Sequence, residues 1–399
     1  AHGAPLGVEG VKALKDALNY PSHEAFHVPT EVYDHYKVLA EEGTQKHEAW
    51  NALFEKYRAA HPELATQWDK DFGEITEAEL LADASLFEFD AADQSTRNVS
   101  GLMINRLKDK YTNLFGGSAD LSSSNMTHMK DEASFSAKDY AGRNVHFGVR
   151  EHAMAAVGNG LVLYGGLKAY VATFFVFADF LKPMARLSAL SNLPLTYVLT
   201  HDSIGVGEDG PTHEPIEQLA MMRSIPNFIT FRPADATETA YGWVKALSST
   251  KTPVGLILSR QNLPQLENTG ADALKGAYVV HDADKLDAIL MASGSEVSLA
   301  IEAAKELATT GVGVRVLSVP SMELFEAQSA EYKESILPST VEARVAVEAG
   351  TSIGWGRYVG LKGATVCLDH FGGSAPGGTL FKEFGFTVEN VTKVVKSVL

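Results

Sequence analysis

The sequence has a single cysteine, Cys367, among its 399 residues. One thiol excludes an intrachain disulfide and a zinc site built from several cysteines, and it is typical of a reducing compartment, so we expect a cytoplasmic protein. Basic residues are also scarce, since Lys and Arg total 34 against 50 Asp and Glu, a formal net charge of −16. That acidity opposes broad contact with nucleic acid or with an anionic membrane surface.

Long apolar runs and targeting signals are absent as well. The most apolar stretch, residues 170–195, is interrupted by Asp179, Lys182, Pro183 and Arg186, whereas a membrane-spanning helix needs ~20 mostly apolar residues. The first residues, AHGAPLG, contain neither a basic leader nor an apolar signal core. They also lack a methionine, which favours a true beginning that lies upstream. We expect a soluble protein without a membrane partner.

Length and pattern predict more than one domain, because a single core rarely grows past ~250–300 residues. Residues 1–85 combine helical spacing with many charges, and Pro29-Thr30-Glu31 is typical of a helix start. From residue 86 onward, short β-rich runs alternate with helix-length segments, which predicts an α/β fold with largely parallel sheets. The predicted domains are a helical segment at 1–85 and α/β domains at 86–265 and 277–399.

The predicted strands form two groups, separated by the polar stretch 261–276. Continuous apolar runs such as LTYVLT and VGLILS indicate strands that are buried on both faces. In the first domain the runs are Leu114–Gly117, Val145–Gly148, Lys168–Thr173, Thr196–Thr200, Phe228–Arg232 and Val254–Ser259. In the second domain they are AYVVHDAD, DAILMASGS, VGVRVLSVP, ARVAVEAG and ATVCLDHFG, followed by a predicted helix at Val388–Leu399.

The segment HDSIGVGEDGPTH, from His201 to His213, follows the predicted strand at 196–200 and brings two histidines and three acids into a glycine-rich loop. Ligands in open α/β sheets collect at the carboxyl ends of strands, where this loop belongs. Its composition is equally compatible with a surface loop whose polar residues cap helices.

Two further patterns have both a structural and a functional interpretation. Glu151, in VHFGVREHAM, opens a predicted helix, where a carboxylate complements the helix dipole or meets a basic ring nitrogen of a ligand. Phe174, Phe177 and Phe180 are spaced to share one helical face, which is typical of a core stripe and also suits a wall against a flat heterocycle.

Cationic and hydroxyl candidates for an anion site are Arg97, Ser124 in GGSADLSSSN, and Arg260 at the end of VGLILSR. A guanidinium group binds phosphate through two parallel hydrogen bonds, so even an acidic protein can carry a small phosphate site. Taken singly, each arginine is more typical of an ordinary surface charge.

Four motifs together resemble the transketolase family. They are GGSADL at 116–121, FGVREHAM at 147–154, HDSIGVGEDGPTHEP at 201–215 and LSRQNLPQLE at 258–267, in the family's order and approximate spacing. The resemblance extends from AHGAPLG to FKEFGFTVENV. It implies a thiamine-diphosphate-binding α/β domain, followed by the family's carboxyl-terminal domain and preceded by its interdomain segment, about the last 60% of the usual protein.

The resemblance implies transfer of a two-carbon glycolaldehyde unit from a ketose phosphate to an aldose phosphate, as in the pentose phosphate pathway. The cofactor is thiamine diphosphate with a divalent metal, magnesium or calcium. In this family the site lies between two subunits, so we expect a homodimer or an assembly with an amino-terminal half. The sequence contains no glycine-aspartate-glycine motif, so we expect the amino-terminal domain, which holds the diphosphate and the metal, to be missing and the isolated chain to be inactive.

Site residues are implied position by position. Glu151 would hydrogen-bond the pyrimidine ring, and Phe174, Phe177, Phe180 and Asp120 would surround it; the family usually has tyrosine where Phe180 stands. His213 and Asp209 would bind substrate hydroxyls, and His2 would contact substrate and diphosphate and assist proton transfer. The sugar phosphate would be held by Arg97, Ser124, His201 and Arg260. We assign no metal ligand to this chain.

Three alternatives stay open. A dihydroxyacetone synthase would have a similar middle domain and would accept formaldehyde. A non-catalytic partner half of a thiamine enzyme would retain the fold without the diphosphate site. The third is a serine hydrolase, because GTSIG at 350–354 matches the G-x-S-x-G pattern with Ser352 as nucleophile. We disfavour it, since Asp369 and the only later histidine, His370, are neighbours that would point to opposite faces of a strand.

Overall fold

The computed structural model describes residues 2–399 and divides into two compact units, one ending at Asp69 and one comprising Lys70–Leu399. The first unit is helical, as the charged helical spacing predicts, and its longest helix runs from Thr30 to Ala60, directly after Pro29. In it, Trp50, Phe54 and Trp68 form a ring cluster with centroids 5.1–5.2 Å apart. Arg58 binds both carboxylate oxygens of Asp69 at 2.6–2.7 Å.

The second unit contains a parallel sheet of six strands in the order β2-β1-β3-β4-β6-β5. Its strands are β1 Leu114–Ser118, β2 Asn144–His146, β3 Lys168–Phe174, β4 Thr196–Thr200, β5 Ile229–Phe231 and β6 Val254–Leu258. All residues of β4 and β6 are buried, as their continuous apolar runs predict. The chain passes from β1 to β2 on one side and then to β3 on the other, so a topological switch point lies between β1 and β3.

A second sheet of five strands has the order β11-β10-β8-β9-β7. The strands are β7 Tyr278–His281, β8 Ala288–Ala292, β9 Val314–Ser318, β10 Arg344–Val347 and β11 Ala364–Val366. Only β7 is antiparallel to its neighbour. The prediction of an α/β fold with largely parallel sheets is therefore confirmed.

Within the second unit, helices connect the strands and pack against both sheets. The helices of both units are α1 Gly7–Ala17, α2 Thr30–Ala60, α3 Pro62–Phe72, α4 Glu77–Leu81, α5 Thr96–Lys110, α6 Ser122–Asn125, α7 Glu151–Tyr164, α8 Ala178–Leu190, α9 Gln218–Arg223, α10 Ala236–Ser248, α11 Glu296–Thr309, α12 Met322–Glu326, α13 Ala330–Ile336, α14 Gly356–Val359, α15 Gly377–Glu383 and α16 Val388–Val398. Helix α7 packs against β3, and α11 packs against β8. Among residues 2–399, no helix is both long enough and apolar enough to cross a membrane.

Candidate functional site

Most predicted site residues of the second unit follow the carboxyl ends of strands in the first sheet. Because parallel strands end at one edge, the connections that leave them are gathered there, beside the switch point. The residues concerned are Asp120 and Ser124 after β1, Glu151 after β2, Phe174 at the end of β3, His201 after β4 and Arg260 after β6. Arg97 reaches the same edge, since the backbone N–H of Thr96 donates to the Ser259 hydroxyl at 3.0 Å.

Two phenylalanines and two histidines form a ring cluster at this edge. The rings of Phe174 and Phe177 are stacked with centroids 6.1 Å apart and an interplanar angle of 8°. The ring centroid of His201 lies 3.7 Å from that of Phe174. The ring of His213 packs edge-on against Phe174 and Phe177, with centroid distances of 6.3 and 5.7 Å. These contacts join the end of β3 to the histidine loop, residues 201–213.

The prediction that Phe174, Phe177 and Phe180 share one helical face is wrong. Strand β3 continues through Phe174, and a short 3-10 turn at Phe175–Phe177 precedes α8, so only Phe180 is in the helix. Three-residue spacing looks the same in a helix and across a strand-to-helix junction, which is why the pattern misled. Phe180 touches Phe177 at 6.2 Å but remains 59% exposed.

His201 is buried and has a positive φ of 65°, a conformation that is uncommon for a residue with a side chain. Burial and the nearby charges of Arg97 and Arg260 lower the pKa of His201 to about 3, so the ring is neutral at physiological pH. A neutral ring that donates through Nδ1 to the Thr200 hydroxyl at 2.8 Å can accept from Arg97 at Nε2, 3.4 Å away.

Arg97 also donates to the carbonyl oxygen of Ser124 at 2.9 Å, so Arg97, Ser124 and His201 are brought together. Burial, and secondarily the charge of Arg260, lowers the pKa of the Arg97 guanidinium. Its Nε is buried without a hydrogen-bond partner within residues 2–399. Two arginines that repel each other across a partly buried space form a favourable environment for an anion.

Arg260, Asp209 and Asp120 are exposed, and no side-chain hydrogen bond is formed by any of the three within residues 2–399. His213 is half-buried and lies 2.9 Å, through Nδ1, from the Thr212 hydroxyl. His2 lies in the first compact unit and is exposed. Across the described residues 2–399, no cluster of three or more His, Cys, Asp or Glu is arranged to hold a metal ion.

Glu151 is the first residue of α7 and is only 8% exposed. Its carboxylate has no hydrogen-bond or ion-pair partner within residues 2–399, although buried carboxylates are normally paired. The dipole of α7 favours a negative charge at this position. A residue that is largely buried but whose carboxylate has no protein partner is suited to binding a ligand that reaches this edge of the sheet.

Sequence analysis missed Glu214, which directly follows His213. Glu214 is 2% exposed, one oxygen accepts from the N–H of Gly373 at 3.0 Å, and the other has no partner within the described residues 2–399. Burial raises its pKa to about 7. The quoted motif HDSIGVGEDGPTHEP contains this glutamate, but only the tertiary structure reveals that the 370–377 loop covers it.

We expect Glu214→Gln to stabilise the protein at pH 8 and to have progressively less effect as the pH falls. In the wild-type protein, the buried charge of Glu214 lowers the free energy of unfolding above the folded-state pKa of about 7. Between about pH 7 and the ordinary pKa of 4.5, Glu214 keeps its proton in the folded state and releases it in the unfolded state. The free energy of unfolding of the wild-type protein therefore rises as the pH falls through this range. A gain of ~1 kcal/mol at pH 8 raises Tm by a few degrees. Melting curves between pH 5 and 8 test this, with exposed Glu208→Gln as the matched control; a pH-independent difference contradicts it.

The structure does not support a serine hydrolase. The Ser352 hydroxyl donates to Asp369 at 2.8 Å, while Nδ1 of His370 lies 2.8 Å from the carbonyl oxygen of Phe371 and its ring packs on Phe384. A nucleophilic serine requires a histidine as its immediate hydrogen-bond partner. The partner of Ser352 is instead the carboxylate of Asp369, which also accepts a hydrogen bond from the backbone N–H of Ser352 at 2.9 Å. This arrangement stabilises the turn after β10.

Three separate parts of the chain match domains of known protein families. Residues 92–265 match the transketolase pyrimidine binding domain, and residues 276–387 match the transketolase-like C-terminal domain. Residues 1–75 match the transketolase thiamine diphosphate binding domain. The expectation that this amino-terminal domain is missing is therefore wrong. It was based on one short motif, whereas residues 1–75 match the domain without that motif.

The chain is similar to proteins named transketolase. It is 50% identical to the transketolase of Halalkalibacterium halodurans over all of this chain and 60% of that protein. The solved transketolase of Leishmania mexicana aligns with a TM-score of 0.92 and 38% identity, over 99% of this chain and 58% of that one. A structure described as a split gene transketolase, inactive beta4 tetramer, aligns with a TM-score of 0.62 and 25% identity over 77% of this chain and 99% of its own. The chain thus spans about 60% of the length of the curated relatives it matches.

Proposed function

Because the chain belongs to the transketolase family, we propose that it takes part in the reversible transfer of a two-carbon glycolaldehyde unit from a ketose phosphate to an aldose phosphate, with thiamine diphosphate as cofactor. The observation that carries this proposal is the carboxylate of Glu151. As a whole residue Glu151 is 8% exposed at the carboxyl edge of the first sheet, and its carboxylate has no hydrogen-bond or ion-pair partner within residues 2–399.

The residues at this edge fit the aminopyrimidine of the cofactor. A buried carboxylate without a partner suits a ring nitrogen that offers or shares a proton. The stacked rings of Phe174 and Phe177 provide flat apolar surface against which a heteroaromatic ring packs favourably. Phe180 and Asp120 extend this wall in our proposal. Phe180 contributes a ring without a hydroxyl, so its contact is apolar only.

When bound, thiamine diphosphate supplies the nucleophilic carbon and the electron sink for cleavage of the carbon–carbon bond. Glu151 holds a proton at the pyrimidine ring nitrogen and so controls the protonation of the neighbouring amino group. His213 and Asp209 bind hydroxyl groups near the reacting carbons. His2 is assigned a role in substrate and diphosphate contact and in proton transfer, a task for which enzymes use histidine more often than any other side chain.

The phosphate group of the sugar is assigned to Arg97, Ser124, His201 and Arg260. Two guanidinium groups and a hydroxyl match the acceptor oxygens of a phosphate, and neutral His201 links Arg97 to the ring cluster. Binding the distant phosphate orients the reacting carbonyl, which lowers the entropic cost of the reaction.

We propose that the chain assembles as a homodimer. Apolar side chains remain exposed along α7 and α8, the two helices that begin beside the site: Val157, Leu163, Tyr164, Leu187 and Leu190 are 40–86% exposed. Exposed apolar side chains gathered on neighbouring helices are typical of an interface. The single cysteine, Cys367, supports a cytoplasmic location.

A non-catalytic or dependent half is the second candidate. It is favoured by the likeness to a structure whose description reads split gene transketolase, inactive beta4 tetramer, almost all of which aligns with this chain. On this proposal the isolated chain is inactive and depends on a partner polypeptide for activity. A dihydroxyacetone synthase would be distinguished by its use of formaldehyde as acceptor.

The test is a transfer assay with the complete enzyme that contains this chain, supplied with thiamine diphosphate, a divalent metal and labelled ketose phosphate. We expect one product two carbons shorter than the donor and one two carbons longer than the aldose phosphate, as resolved by mass spectrometry. Efficient transfer to formaldehyde in preference to aldose phosphates would contradict the assignment. Absence of any transfer by the complete enzyme would favour the non-catalytic candidate.

A further inference from the structure

Arg232, directly after β5, is a fully buried arginine at the boundary between the two sheets of the second unit, with 0% of its side chain exposed. Its Nε donates to Asp202 at 2.9 Å. Its Nη1 donates to the carbonyl oxygen of Ser293 at 2.8 Å and pairs with Glu296 at 2.5 Å. Asp202 and Glu296 are themselves 1–2% exposed, so one cation holds two buried anions from different parts of the chain.

One of these anions belongs to the histidine loop. Asp202 follows His201, whose φ of 65° is disfavoured for a residue with a Cβ and persists only where surrounding contacts enforce it. The charge-assisted bonds from Arg232 to Asp202 restrain the backbone immediately after His201. The His201 ring in turn lies between Phe174, Arg97 and Thr200.

The other anion belongs to the carboxyl-terminal sheet. Glu296 begins α11, after the turn that leaves β8, and one of its oxygens also accepts from the N–H of Ala349 at 2.9 Å, after β10. Gly294 has a positive φ of 58°, and a Cβ there would lie 2.6 Å from the Arg232 guanidinium. Only glycine therefore permits the turn to close over this arginine.

A buried ion cluster of this kind is weak evidence for stability, because desolvation opposes the attraction between the charges. Its geometric effect is more specific, since the planar guanidinium fork fixes the direction of several partners at once. The cluster fixes the start of the histidine loop relative to the turns after β8 and β10.

We propose that Arg232 is a positioning residue through which the carboxyl-terminal sheet sets the orientation of His201 and thereby the affinity of the phosphate subsite. The proposal rests on the proposed function for the role of His201. Arg232 itself contacts neither substrate nor cofactor in this scheme and acts only through Asp202.

A matched control exists across the same boundary. Arg223 forms two hydrogen bonds of 2.8 Å with Glu348, and the two side chains are 7% and 1% exposed. Arg223 ends α9 and makes no hydrogen bond or ion pair to residues 201–213. Glu348 is linked to Arg232 through the Ser293 hydroxyl, but the bond that restrains Asp202 comes directly from Arg232. Loss of the Arg223 fork therefore lowers stability while leaving that bond in place.

The test compares Arg232→Lys with Arg223→Lys in the complete enzyme. Lysine keeps the charge but cannot serve three partners, so we expect Arg232→Lys to raise the KM for ribose 5-phosphate about tenfold, the equivalent of ~1.4 kcal/mol. We expect KM for unphosphorylated ribose to change less than about twofold, a factor worth only a few tenths of a kcal/mol. Arg223→Lys should lower Tm without this selectivity. Equal effects of the two variants, or equal effects on both sugars, would overturn the proposal.

Direct binding separates this proposal from the proposed function. Calorimetric titration of ribose 5-phosphate into the cofactor-loaded protein, without a donor, should show the same loss of affinity in Arg232→Lys. If the wild-type protein binds the sugar phosphate but transfers nothing, the proposed function fails while the role of Arg232 is still tested. Glu296→Gln provides a second route if Arg232→Lys does not fold, since it weakens the same fork. Unchanged phosphate affinity in the folded variant would refute the positioning role.

Discussion

Glu151→Gln lowers kcat of the complete enzyme by about 10²–10⁴-fold, the usual contribution of a positioned acid or base, while leaving the fold intact. Glutamine has nearly the same shape but cannot share a proton with a ring nitrogen as a carboxyl group does. Glu151 has no partner within residues 2–399 to lose, so the substitution leaves no buried group unpaired. The measurement is steady-state transfer between sugar phosphates at saturating cofactor, with Tm recorded in parallel.

The control for this variant is Glu389→Gln. Glu389 is also a first-turn glutamate, in α16, but is exposed, so it has only the electrostatic role of an acid at a helix start, worth ~0.3–1 kcal/mol of stability. If Glu151 has the same limited role, both variants will turn over at the wild-type rate and differ only slightly in Tm. Full turnover of Glu151→Gln at wild-type cofactor occupancy would refute the proposed function of this carboxylate.

The second large effect is expected for Arg260→Ala, which should raise KM for a phosphorylated aldose roughly 10- to 100-fold, as follows from ~1.5–3 kcal/mol for a hydrogen bond to a charged group. Arg260 is exposed and forms no side-chain hydrogen bond or ion pair within residues 2–399, so its removal does not disturb the fold. The unphosphorylated aldose gains nothing from the guanidinium, and its KM should stay nearly constant.

Arg186→Ala is the matched control for Arg260→Ala, because it also removes one exposed positive charge from the same unit, on α8. A general change in the electrostatic field would affect both variants equally and would weaken at high salt. A similar rise in KM for phosphorylated and unphosphorylated acceptors in Arg260→Ala would remove this arginine from the phosphate subsite.

The architecture was largely predictable because it depends on local patterns. Buried parallel strands require continuous apolar runs, and each of the eleven predicted runs overlaps a strand of the structure. The helix after Pro29 and the last helix, Val388–Val398, also follow from local signals. The error at Phe174, Phe177 and Phe180 arose where local spacing is ambiguous, since a strand ends and a turn intervenes between the first and the last of them.

The candidate site was only partly predictable. His201, His213, Arg97 and Glu151 carry chemistry that residue type and motif indicate, and the resemblance supplied roles that neither pattern nor composition establishes. The absence of one glycine-aspartate-glycine motif wrongly suggested that the whole amino-terminal domain was missing, because a motif search ignores the remaining residues that match that domain at 1–75. Glu214 and Arg232 were missed: Glu214 lies inside a recognised motif but its burial depends on the 370–377 loop, and Arg232 has no distinctive neighbours in the sequence.

Residue order alone was enough to specify the alternation of strands and helices, the acidic surface and the identity of the side chains that follow each strand, because these depend on nearest neighbours along the chain. Which of those side chains meet was decided by folding. His201 touches Phe174 and Arg97, and Asp202 shares Arg232 with Glu296, across separations of up to 104 residues. Such contacts arise from strand order, crossover direction and the packing of one sheet beside another. These features depend on residues far apart in the chain, so no short stretch of sequence encodes them.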